Sequence, residues 1–136
     1  MPAERIFVLD SYAVLAYLED EAGASRVQSI LEQAASNRAR VLMSEINLGE
    51  ALYITEREND LSVAHKMLGI LEQLPIEFAP ATRARVLAAA HLKARHAMSY
   101  ADCFAAALAI EHEACLLTGD PEFRAVQDNI EVDWLA

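Results

Sequence analysis

The sequence predicts an α/β fold with a single domain, residues 1–136, in which a parallel sheet of about five strands is sandwiched between helices. Three observations lead to this fold class. Short apolar runs recur along the chain, and two of them are continuously apolar, as strands buried on both faces tend to be. Helical patterns separate the runs, and parallel strands require such crossover connections. The length of 136 residues fits one domain.

The predicted strands are five short apolar segments. They are IFVL at 6–9, RVLM at 40–43, IEFA at 76–79, ACLLT at 114–118 and IEVDW at 130–134. The runs IFVL and ACLLT are the continuously apolar ones, which indicates burial on both faces.

Two predicted helices, residues 11–21 and 23–37, follow the first strand and are broken near Gly23. The second carries an apolar face at helical spacing, formed by Val27, Ile30, Leu31 and Ala34. The next two helices have Ser44 and Ser62 as candidate N-caps, and the second of them ends just before Pro75. The last two run from about Thr82 to His96 and from about Tyr100 to Glu113.

Composition excludes several classes of protein. At 54% hydrophobic and 24% charged residues the chain can form a core, so it is not a disordered protein. The longest apolar run, residues 103–110, is too short to span a bilayer, and the N-terminus has no secretory layout, so we expect a cytoplasmic protein without a membrane partner. Cys103 and Cys115 are isolated and are expected to be core residues, and the four histidines form no metal-binding pair.

The formal net charge of −10 argues against a large electrostatic surface for nucleic acid. Basic residues do concentrate late in the chain, and the set includes Arg83, Arg85, Lys93 and Arg95. A solvated helix face accounts for them without a ligand, and the sequence leaves open whether they contact RNA.

Two acidic residues follow predicted buried strands. Asp10 comes directly after IFVL and opens a helix, and Asp120 follows ACLLT and precedes Pro121. The carboxyl ends of parallel strands are where open α/β sheets place their sites. Each residue is also a suitable helix N-cap, which is the structural alternative.

Two further acids are candidates for the same site. Asp102 lies three residues after Ser99 in a capping-box pattern, yet a first-turn side chain leans toward the helix N-terminus and so toward the sheet edge. Glu50 lies in mid-helix, where capping cannot explain it. It is expected to share an inward face with Ile46, Tyr53 and Ile54; the alternative is a half-exposed Glu50, with Leu48, Ala51 and Leu52 facing inward and Arg57 as its partner.

Bringing these carboxylates together is costly, because each like-charge pair near 4 Å repels by about 1–4 kcal/mol, and folded proteins accept that cost mainly when a cation or shared protons neutralise the group. Asp and Glu oxygens are hard ligands, so the expected ion is Mg²⁺ or Mn²⁺. A site of this kind suits phosphoryl chemistry, and a phosphodiester can approach an acidic protein through the metal.

The order Asp10-Ser11, Glu50 in SEINLGEALY, Asp102 in SYADCFAAALA and Asp120 in LLTGDPEF resembles the acidic quartet of the PIN-domain nucleases. The resemblance covers nearly the whole chain, and the length is similar to that of the VapC-type toxins. It implies an Mg²⁺-dependent endoribonuclease, the toxin of a type II toxin–antitoxin pair, in which the four acids hold the metal and Ser11 and Thr118 are polar neighbours. It also implies a homodimer and a cognate antitoxin. Ser11 stands where the family often has Thr, and Gly119 where many relatives have a bulkier residue.

Three other hypotheses remain open at this point. A receiver-like phosphoacceptor domain also uses acids at strand ends with Mg²⁺, but it needs a buried lysine late in the chain, and Lys66 and Lys93 both lie in helical stretches. A haloacid-dehalogenase-like phosphatase needs a second Asp two residues after Asp10, where Tyr12 stands. A purely structural hypothesis treats all four acids as caps or surface residues without metal affinity.

Overall fold

A computed structural model describes residues 5–135 of the chain. Its sheet has five strands, all parallel, in the order β3-β2-β1-β4-β5. The strands are β1 (Arg5–Leu9), β2 (Ala39–Ser44), β3 (Glu77–Ala79), β4 (Cys115–Thr118) and β5 (Glu131–Trp134). The predicted α/β fold class with a parallel five-stranded sheet is confirmed.

Within residues 5–135, six α-helices and one short 3₁₀ helix connect the strands. The α-helices are α1 (Ser11–Leu18), α2 (Ala24–Ala35), α3 (Glu45–Glu58), α4 (Leu61–Gln73), α5 (Arg83–Arg95) and α6 (Tyr100–His112), and the 3₁₀ helix is Pro121–Val126. The break predicted at Gly23 separates α1 from α2. Gly23 has φ +93°, and a Cβ there would lie 2.7 Å from Leu135 Cβ, so both backbone and packing favour glycine.

Strand β1 is the central strand of the sheet and β4 lies beside it, so both are interior strands, which is consistent with their continuous apolar character. Their side chains alternate between two cores. Phe7, Leu9 and Leu117 pack with residues from α1 to α4, whereas Val8 and Leu116 pack with α5, α6 and the 3₁₀ helix. Helices therefore cover both faces of the sheet. The run 103–109 within α6 is buried in full, so it is a core helix.

One predicted helix cap is wrong. Ser62 lies inside the first turn of α4 and does not cap it. Asp60 is the N-cap, and its Oδ1 accepts a hydrogen bond from the Val63 N–H at 2.9 Å. The predicted cap of α3 is confirmed, since the Ser44 hydroxyl accepts from the Ile46 N–H at 3.2 Å.

The predicted inward face of α3 is also wrong. Ile46 and Tyr53 are 36% and 47% exposed, while the buried residues of the helix are Asn47, Ala51 and Thr55, spaced four apart. Helix α3 packs against both the sheet and α6, and this contact selects the buried stripe. Glu50 lies beside the stripe and is half-buried.

Two smaller observations bear on the protein class. No helix among residues 5–135 is long and apolar enough to cross a membrane. Cys103 and Cys115 are both free and buried, and burial raises the pKa of the Cys115 thiol to about 11. Both cysteines are core residues, as the sequence predicts.

Candidate active site

The carboxyl ends of the strands meet at one edge of the sheet because every strand pair is parallel. Asp10 directly follows β1, and Thr118 ends the neighbouring strand β4. The Thr118 hydroxyl donates a hydrogen bond to Asp10 Oδ2. This bond joins the carboxyl ends of these two neighbouring strands, and it places the Asp10 carboxyl over the edge.

Asp10 caps α1 and at the same time contributes a carboxyl to this edge. Its Oδ1 accepts a hydrogen bond from the Ala13 N–H at 2.8 Å, and the residue is 1% exposed. Burial raises the pKa of Asp10 to about 7 even though the hydrogen bonds from Thr118 and Ala13 oppose the rise. The negative charges of Asp120 and Glu50 raise the pKa further.

Glu50 reaches the same region from α3. The Ser11 hydroxyl, at the start of α1, donates a hydrogen bond to Glu50 Oε1. Of the two predictions for Glu50, the half-exposed one describes its burial, but Arg57 is not the partner that the sequence suggested. The Arg57 guanidinium lies over the Tyr53 ring, 4.9 Å from its centre.

Asp102 is positioned by the first turn of α6 and has an unusual environment. The Ser99 hydroxyl caps α6 by accepting from the Asp102 N–H at 3.2 Å, as the capping-box pattern predicts. The return bond of the box is made by another residue, because the Ser99 N–H donates to Glu122 Oε1 at 2.8 Å. The Asp102 carboxylate therefore does not make the return bond of the capping box. Its buried Oδ2 has no hydrogen-bond partner among residues 5–135.

The environment of Asp102 disfavours its charged form. Burial is the main cause, followed by the negative charge of Asp120 and by contact with the Glu122 carboxyl, and together they raise the pKa of Asp102 to about 8. A buried carboxyl oxygen without a partner is uncommon in folded proteins. Without a cation nearby, this environment therefore favours the neutral form of the Asp102 carboxyl.

Asp120 is held by the turn that follows β4. Its backbone N–H donates to the Thr118 hydroxyl at 3.0 Å, and its Oδ1 accepts from the Glu122 N–H at 2.9 Å, so it caps the 3₁₀ helix. Asp102, Asp120 and Glu122 each offer a carboxylate oxygen within 4.8 Å of the others. Three acids from two different elements therefore converge.

The structure brings all four sequence-predicted acids into one neighbourhood. The negative charges of Asp120 and Glu50 contribute to the raised pKa of Asp10, and those of Asp120 and Asp10 contribute to the raised pKa of Asp102. Glu122 joins the group and was missed by sequence reasoning. The signal that could have found it is its position two residues after Asp120 in the same short helical turn.

The residues of this edge fit a divalent cation. Their donor atoms are carboxylate oxygens, which hard cations prefer. The free Oδ2 of Asp102 is buried, so an ion there would give it the partner that the protein does not supply. Burial is the main cause of the raised pKa of Asp10 and Asp102, and a cation would oppose it and would also offset the mutual repulsion that adds to the rise.

Gly119 lies between Thr118 and Asp120, and the Tyr12 ring occupies the space beside it. A Cβ at Gly119 would overlap this ring. We expect Gly119→Ala to destabilise the protein by about 1–3 kcal/mol, because the half-buried ring must move. Urea unfolding of the single variants, Tyr12→Ala and the double variant measures this. The Gly119→Ala cost should vanish in the Tyr12→Ala background, and strict additivity would contradict the prediction.

Comparison with known proteins identifies a matching family model. A model described as the PIN domain matches residues 7–129. Among curated proteins, no sequence matches this chain significantly.

Several solved structures share the fold. VapBC2 from Rickettsia felis, bound to a DNA fragment from its promoter, has a TM-score of 0.75 at 18% identity, over 96% of this chain and 99% of that chain. DNA-bound VapBC from Salmonella typhimurium has a TM-score of 0.71 at 16% identity, over 97% and 99% of the two chains. Mycobacterium tuberculosis VapC20, described as a toxin that cleaves the sarcin–ricin loop, has a TM-score of 0.68 at 20% identity, over 89% and 94%.

Proposed function

This chain belongs to the PIN-domain family, and from that premise we propose that it is a metal-dependent endoribonuclease that hydrolyses RNA phosphodiester bonds. The observation that carries the proposal is the buried, unpartnered Oδ2 of Asp102 within a group of converging carboxyls. Such a group is unfavourable in the absence of a cation and useful in its presence.

Asp10, Glu50, Asp102 and Asp120 are the residues that would hold Mg²⁺ or Mn²⁺, and Glu122 is a fifth candidate. When bound, the ion activates a water and neutralises charge on the phosphodiester. Ser11 and Thr118 orient two of the ligands, since their hydroxyls donate to Glu50 and Asp10. By fixing these carboxylates in place, the two hydroxyls reduce the reorganisation needed on metal binding.

The protein's negative charge limits how RNA can be bound. Four basic residues are candidates for contact with RNA. One of them, Arg85, donates hydrogen bonds of 3.1 and 3.0 Å to the Glu111 carboxylate and one of 3.0 Å to the Pro80 carbonyl. Arg83, Lys93 and Arg95 are exposed on α5. We propose that the substrate phosphate enters through the metal, with these side chains as secondary contacts.

We further propose that the protein is the toxin of a type II toxin–antitoxin pair and acts in the cytoplasm as a homodimer. Its fold is shared along nearly the full length with VapBC2 and with VapC20. VapC20 is described as a toxin that cleaves the sarcin–ricin loop. An antitoxin protein needs an apolar surface, and a groove of about 330 Å³ lies between α1, α3 and α4. The groove is lined by residues that include Leu15, Leu18, Val63, Met67 and Ile70.

The receiver-like alternative lacks a supporting lysine. Lys66 lies on α4 in the wall of the groove, and Lys93 lies on the exposed side of α5. Neither is buried beside the acids. Together with the family membership, this favours the nuclease over a phosphoacceptor domain.

Metal removal is the direct test of the proposed function. We expect the purified protein to cleave a mixed RNA with Mg²⁺ or Mn²⁺ and to lose that cleavage in EDTA, with recovery when metal is added back in excess. Calorimetry with Mn²⁺ should give saturable binding. Cleavage that persists in EDTA, or the absence of both Mn²⁺ binding and cleavage, would contradict the proposal.

A further inference from the structure

Asn47 is a buried polar residue in the contact between α3 and α6. It is 0% exposed, and it lies one turn before Glu50 on α3. Its side-chain Nδ2 donates a hydrogen bond to the Ala101 carbonyl at 3.0 Å. Ala101 is the residue directly before Asp102, so one bond connects the segment that carries Glu50 with the turn that carries Asp102.

The amide of Asn47 is only partly satisfied. Its Oδ1 is buried and has no hydrogen-bond partner among residues 5–135. An apolar residue of similar size would avoid the loss of hydration of that oxygen, and the same buried stripe already uses Ala51. Asn47 is therefore poorly explained by packing alone.

The position of the bond suggests what Asn47 does. Asp102 is fixed in the first turn of α6 by the Ser99 cap, and Glu50 is fixed by the Ser11 hydroxyl. Neither contact sets the distance between α3 and α6. Among residues 5–135, the bond from Asn47 to the Ala101 carbonyl is the only side-chain hydrogen bond that joins α3 to α6.

We infer that Asn47 is a positioning residue, which holds the first turn of α6 against α3 and thereby sets the separation of Glu50 and Asp102 for the divalent ion. This inference rests on the proposed metal-dependent function. Asn47 touches neither RNA nor metal in this role. It acts on the metal through the carboxylates, as groups that orient metal ligands do.

The test compares Asn47→Leu with a matched variant on the same helix face. Asn47→Leu keeps the size of the side chain, removes the bond to Ala101 and removes the unpartnered oxygen. Thr55→Val is the control, because Thr55 lies two turns further along the same stripe and loses a comparable bond, from its hydroxyl to Met67 Sδ at 3.2 Å. Asn47→Ala replaces the Leu variant if the latter does not fold.

For Asn47→Leu we expect Mn²⁺ affinity by calorimetry to fall by about 10–100-fold. We also expect kcat for RNA cleavage to fall with little change in KM, and hydrogen exchange to accelerate in the first turn of α6. The thermal midpoint should change little or rise. Thr55→Val should keep wild-type Mn²⁺ affinity and the wild-type exchange rates in α6.

Two outcomes would overturn the inference. One is Mn²⁺ affinity of Asn47→Leu within twofold of the wild type; the other is an equal loss in Thr55→Val, which would indicate general destabilisation. Failure of the proposed function gives a different result, since the wild-type protein itself would then bind no Mn²⁺. In that case the hydrogen-exchange rates in the first turn of α6, compared between the wild type and Asn47→Leu, still show whether Asn47 holds α6 against α3.

Discussion

Replacing Asp102 with Asn is expected to lower kcat/KM for RNA cleavage by about 10²–10³-fold. The substitution keeps the shape of the side chain but removes one charge and one ligand oxygen from the proposed metal site. A bound metal supplies several kcal/mol of transition-state stabilisation, and each 1.4 kcal/mol corresponds to a factor of ten. The fold should survive, because α6 is capped by the Ser99 hydroxyl and the Glu122 carboxyl.

Two matched variants make this prediction specific. Asp128→Asn also removes one negative charge, but Asp128 is exposed and precedes β5, at the opposite edge of the sheet. It should retain wild-type activity. Glu122→Gln should give an intermediate loss of about tenfold, since Glu122 is exposed and its Gln can still accept from the Ser99 N–H. Cleavage rates are measured under single-turnover conditions at saturating Mg²⁺. Equal rates for all three variants would contradict the assignment of Asp102 to the metal site.

The same site should make the metal-free protein less stable as pH rises. Folded Asp10 keeps its proton up to about pH 7, whereas the unfolded chain releases it near 3.8. The folded state therefore binds more protons between these values, and its free energy of unfolding falls as pH increases through that window. For Asp10 alone the loss is about 4 kcal/mol, at 1.36 kcal/mol per pH unit. It is complete above about pH 7, and absent below pH 3.8.

Asp10→Asn provides the comparison for this pH effect. Asn caps a helix about as well as Asp, so the cap of α1 is kept while the titration is removed. In EDTA at pH 8 the variant should be the more stable protein, by up to about 4 kcal/mol, and near pH 3 the two should converge. Urea unfolding at steps from pH 3 to pH 8 measures the difference. Parallel pH profiles for the two proteins would show that the Asp10 carboxyl does not titrate in this way.

Adding Mn²⁺ at pH 8 should narrow this stability difference, and should reverse the order once free Mn²⁺ exceeds Kd by about 1,000-fold. A ligand that binds only the folded state stabilises it by RT ln(1 + [L]/Kd), and the wild-type protein should gain more than Asp10→Asn. The variant would then combine higher metal-free stability with lower activity. This combination is expected when a cluster of carboxyls binds a cation but destabilises the metal-free protein.

Much of the fold follows from the sequence. The apolar pattern predicts strand β1 at 6–9, and the strand spans Arg5–Leu9. It predicts strand β4 at 114–118, and that strand spans Cys115–Thr118. A strand buried on both faces must be continuously apolar, so the pattern leaves little choice. The break at Gly23 and the caps at Ser44 and Ser99 are equally local features.

The sequence also identified four acids whose positions were unusual for surface residues. Asp10 and Asp120 follow buried strands, and parallel strands bring their carboxyl ends to one edge. Where helix packing was needed, the prediction failed for α3. Periodicity allowed either Glu50 with Ile46, Tyr53 and Ile54 or the face of Leu48, Ala51 and Leu52 to point inward. The contact with α6 instead buries Asn47, Ala51 and Thr55, a choice that no local pattern indicates.

The strands, most helix boundaries and the candidate acids can be predicted from the amino-acid sequence alone, because they depend on apolar runs and on caps within a few residues. Three features depend on the packed structure: the unpartnered oxygen of Asp102, the bond from the Ser99 N–H to Glu122 that completes the cap of α6, and the bond from Asn47 to Ala101. These features depend on contacts between segments that are distant in the chain. No local pattern encodes such contacts, since they exist only once the helices are packed on the sheet.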